Sequence, residues 1–161
     1  MSKKDAITIP FADNNVPFIV NLDNYLDSLS LPAIDFECGG KTLTFILDSG
    51  SNGSHINKSV IEDLGLESYT LEPEGGKVQA VSTGNGLAVA TNERCEIALT
   101  LNGFEFSVRC SVEKLDQVFN FIRESDGVQL HGILGTDFLR LNRWTIDFAN
   151  NVAYPAFKVK R

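Results

Sequence analysis

In the stretch FILDSGSNGSHI, Phe45–Ile56, three apolar residues lead directly to Asp48, and a run of Ser, Gly and Asn residues typical of a turn follows. The segment 41–48, KTLTFILD, alternates and then becomes continuously apolar, which predicts a strand with a buried end. An uncompensated carboxylate at the end of a buried strand is costly, so Asp48 is expected to have a specific role. Gly50 lacks a side chain, so the backbone can turn there and approach other groups closely.

Three interpretations compete for this acid loop. A calcium-binding EF-hand loop also begins with Asp and has Gly at its sixth position, as Gly53 is here. However, its third position is Gly50 and its twelfth is Ser59, where a bidentate Glu is required. The second interpretation is a turn in which Asp48 only caps the following N–H groups. The third is a catalytic acid, and the stretch alone leaves these last two open.

Length and charge limit the class of protein. With 161 residues, of which 43% are hydrophobic, residues 1–161 are expected to form one domain with its own core. The net charge of -7, without a basic cluster, argues against nucleic acid as a partner. No apolar run approaches the roughly 18 residues of a membrane helix, and the N-terminus lacks a secretion signal. The sequence predicts a soluble, cytoplasmic protein with a possible loose arm over residues 1–15.

The cysteines and histidines give no metal-binding pattern. Cys38, Cys95 and Cys110 are odd in number, far apart and without a C-x-x-C pair, so free thiols in strands are expected. His55 and His131 have no partner at a spacing that suits a metal or a Ser–His pair, and their role stays open. A metal protein built on these side chains remains a weaker alternative. No cofactor is expected.

Period-two alternation dominates the chain and predicts mainly antiparallel β structure. Strands are predicted near 6–10, 16–22, 31–38, 41–48, 77–82, 87–92, 95–101, 104–112, 144–148 and 152–159. Two or three short helices are predicted from apolar residues at helical spacing. They fall at Lys58–Leu64, within the segment 113–130 and at residues 136–141.

Two motifs in order resemble those of aspartic proteases. Residues 47–51, LDSGS, match the active-site signature hydrophobic-Asp-Ser/Thr-Gly-Ser/Ala. Residues 131–139, HGILGTDFL, resemble the segment that packs beside the catalytic loop in the retropepsin, or retroviral-type, family. Between them, residues 78–90 are predicted to form a Gly-tipped hairpin where that family carries its flap, and residues 144–154 resemble its closing strands. The resemblance covers about residues 30 to 157.

The resemblance implies a closed, barrel-like acid-protease fold and an endopeptidase that cleaves a protein or peptide substrate. Asp48 would be the catalytic acid, supported by Ser49, Gly50 and Ser51. A loop-packing segment would consist of Ile133, Leu134 and Gly135. The flap would contain the substrate-binding residues Ser82, Thr83, Gly84, Asn85 and Gly86.

The chain has only one such acid loop, whereas this chemistry needs two carboxyl groups that share a proton. A homodimer would supply the second Asp48 by symmetry. The chain also departs from the compact viral pattern, by an extension before Leu31 and a helical insert over residues 113–130. Pro155 cannot donate a ladder hydrogen bond, so the interface geometry is left open. The alternative is a non-catalytic peptide-binding or assembly module on the same fold.

Overall fold

The computed structural model describes residues 15–71, 80–82, 88–90 and 92–157, with backbone alone for 80–82 and 88–90. The strands are β1 Val20–Asn21, β2 Ala33–Cys38, β3 Lys41–Leu47, β4 Ser54–Asn57, β5 Tyr69–Thr70, β6 Ala80–Ser82, β7 Ala88–Ala90, β8 Glu93–Leu101, β9 Phe104–Glu113, β10 Gly132–Leu134, β11 Thr145–Asp147 and β12 Val152–Tyr154. The helices are α1 Asp23–Leu29, α2 Lys58–Leu64, α3 Asp116–Asp126 and α4 Thr136–Leu141.

Six strands close into a barrel in the order β2-β3-β10-β4-β9-β8. The circle is completed where Glu37 of β2 pairs with Thr100 of β8. Two of the contacts, β3 with β10 and β4 with β9, are parallel, and the others in the barrel are antiparallel. The predicted closed, mainly antiparallel β fold with short helices is therefore confirmed.

The barrel is filled by aromatic and branched side chains from alternate strand positions. β2 shows this directly, because Ile34, Phe36 and Cys38 are buried while the residues between them are exposed. Phe36 lies edge-on to Phe45 at a centroid distance of 6.1 Å and to Phe138 of α4 at 6.3 Å. Burying each such side chain contributes about 1.5–3 kcal/mol. Helix α4 is thus held against the barrel.

Strand β10 lies between β3 and β4 and brings a distant part of the sequence to the end of β3. Its Leu134 pairs with Leu47, the residue directly before Asp48. Gly132 is required in β10, because a Cβ there would collide with the Phe45 ring and the His55 carbonyl oxygen. The close packing of β10 against β3 and β4 therefore places Leu134 beside the acid loop.

The predicted helices all form. Helices α2 and α4 have the predicted bounds, and α3 lies within the predicted segment 113–130. Helix α1 was not predicted, and of the strand predicted over 16–22 only Val20–Asn21 forms. The physical reason is that Leu22, Leu26 and Leu29 repeat at helical spacing and pack inward. The side chain of Asn21 also accepts a hydrogen bond from the N–H of Asp23 at 2.7 Å.

A second sheet has the order β1-β12-β11 and holds the N-terminal strand against the C-terminal one. Residues 1–14 of the predicted arm lie outside the described residues. Asn15 is described, and its carbonyl accepts a hydrogen bond from the N–H of Phe157 at 3.0 Å. Within the described ranges, none of the helices has the length and apolar character needed to cross a bilayer.

Candidate active site

Asp48 follows β3 directly and is half-buried. Its N–H donates to the Leu134 carbonyl oxygen at 2.9 Å, so the backbone of the acid is anchored by β10. Its Oδ1 atom accepts a hydrogen bond from the N–H of Gly50 at 2.9 Å. Oδ2 has no hydrogen-bond partner among the described residues. The capping turn of the second interpretation is thus present, and it leaves one carboxylate oxygen available.

The other predicted loop residues divide into an exposed and a buried set. Ser49 and Gly50 are exposed at the turn, next to the carboxylate. Ser51 is fully buried, with 0% of its surface exposed, and its N–H donates to the Asp48 carbonyl oxygen at 3.2 Å. Its carbonyl oxygen accepts a hydrogen bond from the N–H of Thr136 at 2.8 Å. Ser51 therefore joins the acid loop to the start of α4.

The predicted loop-packing residues reach the loop to different extents. Leu134 bonds to Asp48 as described, and Gly135 lies so close that a Cβ would stand 2.7 Å from the Ser51 carbonyl oxygen. Ile133 is half-buried and pairs with Ile46 and His55 across the sheet. The structure thus brings Leu134 and Gly135 against the loop and places Ile133 in the flanking sheet.

Ser54 and Asp137 form a second connection that the sequence did not predict. The Ser54 hydroxyl donates to Asp137 Oδ1 at 2.7 Å and accepts a hydrogen bond from the N–H of Gly135 at 3.0 Å. The N–H of Ser54 donates to Asp137 Oδ2 at 3.1 Å. The two residues are 83 positions apart, so no local sequence pattern predicts that they form a pair. Asp137 is consequently a structural acid whose two oxygens are both bonded.

His55 also has partners that were missed. Its Nε2 lies 3.3 Å from Ser51 Oγ, and its Nδ1 lies 2.5 Å from Glu113 Oε1. His55 is 0% exposed and Glu113 is 5% exposed. Glu113 ends β9, and the parallel pairing of β9 with β4 brings it beside His55. The sequence gives no signal for a pair formed across 58 positions.

His131 precedes β10 and lies on the β3 side of that strand. Its Nδ1 accepts a hydrogen bond from the N–H of Thr44 at 2.9 Å, so this nitrogen carries no proton. Burial lowers the pKa of His131, and the nearby Asp35 carboxylate offsets part of that effect. A neutral ring that joins β3 to β10 is the result.

The predicted flap is described only at its base. Strands β6 and β7 pair antiparallel, with Ser82 opposite Ala88, as the predicted hairpin requires. The predicted tip residues Thr83, Gly84, Asn85 and Gly86 lie outside the described residues, as does the side chain of Ser82.

The three cysteines are buried, free thiols. Cys95 and Cys110 lie directly opposite each other on β8 and β9. Burial raises the pKa of Cys38 and Cys95, and raises that of Cys110 furthest. In the described part of the chain, no three His, Cys, Asp or Glu side chains are arranged to hold a metal ion.

Comparison with solved structures finds several that are similar at low identity. The retroviral protease-like domain of Ddi1 from Leishmania major has 16% identity and a TM-score of 0.47, with 80% of this chain and 93% of that chain covered. A retropepsin-like aspartic protease from Rickettsia conorii has 15% identity and a TM-score of 0.47, with 87% and 89% covered. EIAV protease bound to the inhibitor HBY-793 has 17% identity and a TM-score of 0.40, with 68% and 86% covered.

Among curated proteins, none matches this chain. The family model described as aspartyl protease matches residues 34–138, from the second residue of β2 into α4. The match spans more than half of the 161 residues and includes both the acid loop and the loop-packing segment. The chain therefore belongs to the aspartyl protease family.

Proposed function

We propose that the protein is an aspartic endopeptidase that acts as a homodimer, with Asp48 from each chain flanking one water molecule. The observation that carries this proposal is the half-buried Asp48 carboxylate at the end of a buried strand. One of its oxygens is held by Gly50 and the other has no partner among the described residues. The family membership of residues 34–138 supports the same conclusion.

The chemistry follows from two like charges at close range. Two carboxyl groups about 3 Å apart cannot both be ionised, so the pair retains one proton. The ionised member takes a proton from water as the water attacks the peptide carbonyl carbon. The protonated member supports the developing oxyanion, and a proton is then delivered to the leaving amine as the C–N bond breaks. No metal or cofactor is needed for these steps.

A homodimer is our proposal for the source of the second carboxyl group, because two other acids of the chain already have structural partners. Asp137 is bonded to Ser54 through both oxygens, and Asp147 accepts hydrogen bonds from Asn150. A two-fold axis next to Asp48 would bring the residue against its own copy, since an isologous interface pairs identical patches. The exposed Ser49 and Gly50 would meet the partner loop first, and Ser49 would donate across the interface.

The substrate would be an extended peptide held between the acid pair and the hairpin of β6 and β7. The backbone of such a peptide can bond in the manner of an added strand. We assign substrate contact to the hairpin residues Ser82, Thr83, Gly84, Asn85 and Gly86. Closure of the hairpin would exclude bulk water from the acid pair.

The test is cleavage of denatured protein or of a peptide library by the wild type and the Asp48→Asn variant, across acidic to neutral pH. The matched control is Asp27→Asn, which makes the same change at an exposed position on α1. We expect Asp48→Asn to abolish cleavage, Asp27→Asn to cleave like the wild type, and all three proteins to sediment alike. Undiminished cleavage by Asp48→Asn would remove the proposal. A wild type that binds peptides without cleaving them would instead support the non-catalytic module.

A further inference from the structure

Three buried polar side chains form a hydrogen-bonded line that begins at the acid loop. Ser51 Oγ lies 3.3 Å from His55 Nε2, and His55 Nδ1 lies 2.5 Å from Glu113 Oε1. The exposed fractions of these residues are 0%, 0% and 5%. Buried polar groups need complete hydrogen bonding, so the protons along this chain can be assigned.

The hydroxyl of Ser51 fixes the first proton. It has a single hydrogen, which it donates to the Gly53 carbonyl oxygen at 2.7 Å, because a carbonyl oxygen can only accept. Ser51 Oγ must therefore accept from His55, and Nε2 of His55 must carry a hydrogen.

The second proton lies between His55 and Glu113. A distance of 2.5 Å between Nδ1 and Oε1 requires a hydrogen between the two atoms. It belongs either to an imidazolium beside a carboxylate or to a carboxylic acid beside a neutral imidazole. In both forms the pair has no net charge, which suits a site that is closed to solvent.

A nucleophilic role for Ser51 does not fit this arrangement, although Ser, His and Glu are the residue types of a hydrolase triad. The Ser51 hydroxyl is fully buried and already donates to Gly53, so it cannot reach a substrate carbonyl. Instead, the backbone of Ser51 holds the acid loop in place. Its N–H donates to the Asp48 carbonyl oxygen, and its carbonyl oxygen accepts from the N–H of Thr136 in α4.

We propose that His55 and Glu113 are positioning residues that share one proton and thereby hold Ser51 and the Asp48 loop in the arrangement described above. The consequence for catalysis rests on the proposed function. Loss of the shared proton would place the remaining imidazole hydrogen on Nδ1, facing the Glu113 carboxylate. The bare Nε2 would then draw the Ser51 hydroxyl away from Gly53, whose carbonyl oxygen would lose its donor.

Charged or titratable groups near the His55–Glu113 pair lie on β8, α3 and α4 and directly before β10. On β9, Ser111 is the residue opposite His55, and Arg94 of β8 lies opposite Ser111. His131 precedes β10 on the other side of β4, and Asp137 of α4 bonds to Ser54, the neighbour of His55. On the Glu113 side, Asp116 of α3 accepts a hydrogen bond from Asn57, the residue opposite Glu113 on β4.

Nuclear magnetic resonance of the imidazole nitrogens tests the shared proton without any need for activity. The chain has only two histidines, so His131 serves as an internal reference with an unprotonated Nδ1. The spectra are recorded in the Asp48→Asn background, where the acid pair cannot contribute. We expect Nε2 of His55 to carry one hydrogen at neutral pH, and Nδ1 to share a second hydrogen with Glu113.

Substitutions at Glu113 separate this proposal from a simple packing role. In Glu113→Gln the amide can still donate to Nδ1, so Nε2 should keep its hydrogen and the amide signals of Ser51 and Gly53 should stay close to those of the wild type. In Glu113→Leu, the kcat for peptide cleavage should fall on the order of 10- to 100-fold through misplacement of the loop, with a smaller change in KM. Glu113→Gln should recover most of that loss. Glu96→Gln, at an exposed site paired with Arg109, is the control and should match the wild type.

Two results would overturn the proposal: an unprotonated Nε2 on His55 at neutral pH, or Ser51 and Gly53 amide signals in Glu113→Gln that move far from their wild-type positions. If Glu113→Leu fails to fold, the nitrogen shifts and the Gln variant still decide. If the wild type cleaves nothing, the proposed function fails while the resonance data continue to test the pair.

Discussion

The N–H of Asp48 donates a 2.9 Å hydrogen bond to the carbonyl oxygen of Leu134, a residue from the other end of the matched region. This bond continues the parallel pairing of β3 with β10 by one step beyond Leu47. The position of the acid is therefore set by rigid strands on two sides rather than by the loop itself. Residues that hold β10 and α4 against the loop should matter to stability and, under the proposed function, to cleavage.

Gly135→Ala should destabilise the protein because its new Cβ would lie 2.7 Å from the Ser51 carbonyl oxygen and from the Gly53 carbonyl carbon. We expect a loss of about 3 kcal/mol in the free energy of unfolding, at the upper end of what overpacking costs, because the atoms that the Cβ meets are backbone atoms. The control is Gly103→Ala, where a Cβ meets open space and only the positive φ of 80° is unfavourable, at a cost of about 1 kcal/mol. Urea denaturation measures both. Equal losses in the two variants would show that the loop has room to spare at Gly135.

Ser54 and Asp137 should act as one unit, because Ser54 bonds to Asp137 twice and also accepts from Gly135. Ser54→Ala should cost about 1–3 kcal/mol, since it leaves the buried N–H of Gly135 without its acceptor and removes the hydroxyl donor to Asp137 Oδ1. A double-mutant cycle with Asp137→Asn should give a coupling energy between about 0.5 and 3 kcal/mol. Strictly additive losses would mean that the two side chains do not stabilise each other.

His131 should make stability depend on pH in a defined direction. Burial lowers its pKa below the ordinary value of 6.5, so the unfolded chain binds this proton more readily than the folded one. The stability that neutral His131 contributes is fully present above pH 6.5. It is lost as pH falls from 6.5 through the pKa of His131 in the folded protein. Protonation would also remove the acceptor for the Thr44 N–H. In denaturation curves between pH 7 and 5, His131→Gln should weaken this dependence, and an unchanged slope would contradict it.

Asp147 should make stability depend on pH in a separate, more acidic range. Hydrogen bonds from Asn150 lower the pKa of Asp147, so its contribution is present above pH 3.8 and is lost as pH falls below it. Asn150→Ala should reduce this acidic loss without altering the dependence assigned to His131. A change in the region between pH 7 and 5 in that variant would mean that the two groups are coupled.

Local signals in the sequence were sufficient for several elements. Val60, Ile61 and Leu64 repeat at helical spacing, so α2 was predicted with its observed bounds. The acid loop could be recognised because Asp, Ser and Gly follow a strand that ends in consecutive apolar residues. Helix α1 was missed because Leu22, the first residue of its apolar repeat, also fits the alternating segment 16–22. Strand β4 was missed because Ser54, His55 and Asn57 are polar and become buried only through pairing with β9 and β10.

The support of the candidate site could not be predicted from one sequence. The bonds of His55 to Glu113 and of Ser54 to Asp137 span 58 and 83 positions, respectively. Neither pair has a fixed spacing or a local propensity that marks it. They follow from the closure of the barrel, which places β4 between β9 and β10. A motif identifies Asp48 as the candidate catalytic residue, whereas the groups that hold it depend on the whole fold.

Under the proposed function, one Asp48 from each of two chains forms the catalytic pair, and subunit mixing tests this pairing most directly. Wild-type protein is mixed with an equal amount of Asp48→Asn, allowed to exchange subunits at a concentration that saturates association, and assayed for peptide cleavage. Random pairing leaves half of the wild-type chains without an intact partner, so activity per wild-type chain should fall to about half. Equal addition of Asp27→Asn, which keeps Asp48, should double the total activity and leave the activity per Asp48-containing chain unchanged. Unchanged activity per wild-type chain in the Asp48→Asn mixture would contradict the account, because Asp48 would then act within a single chain.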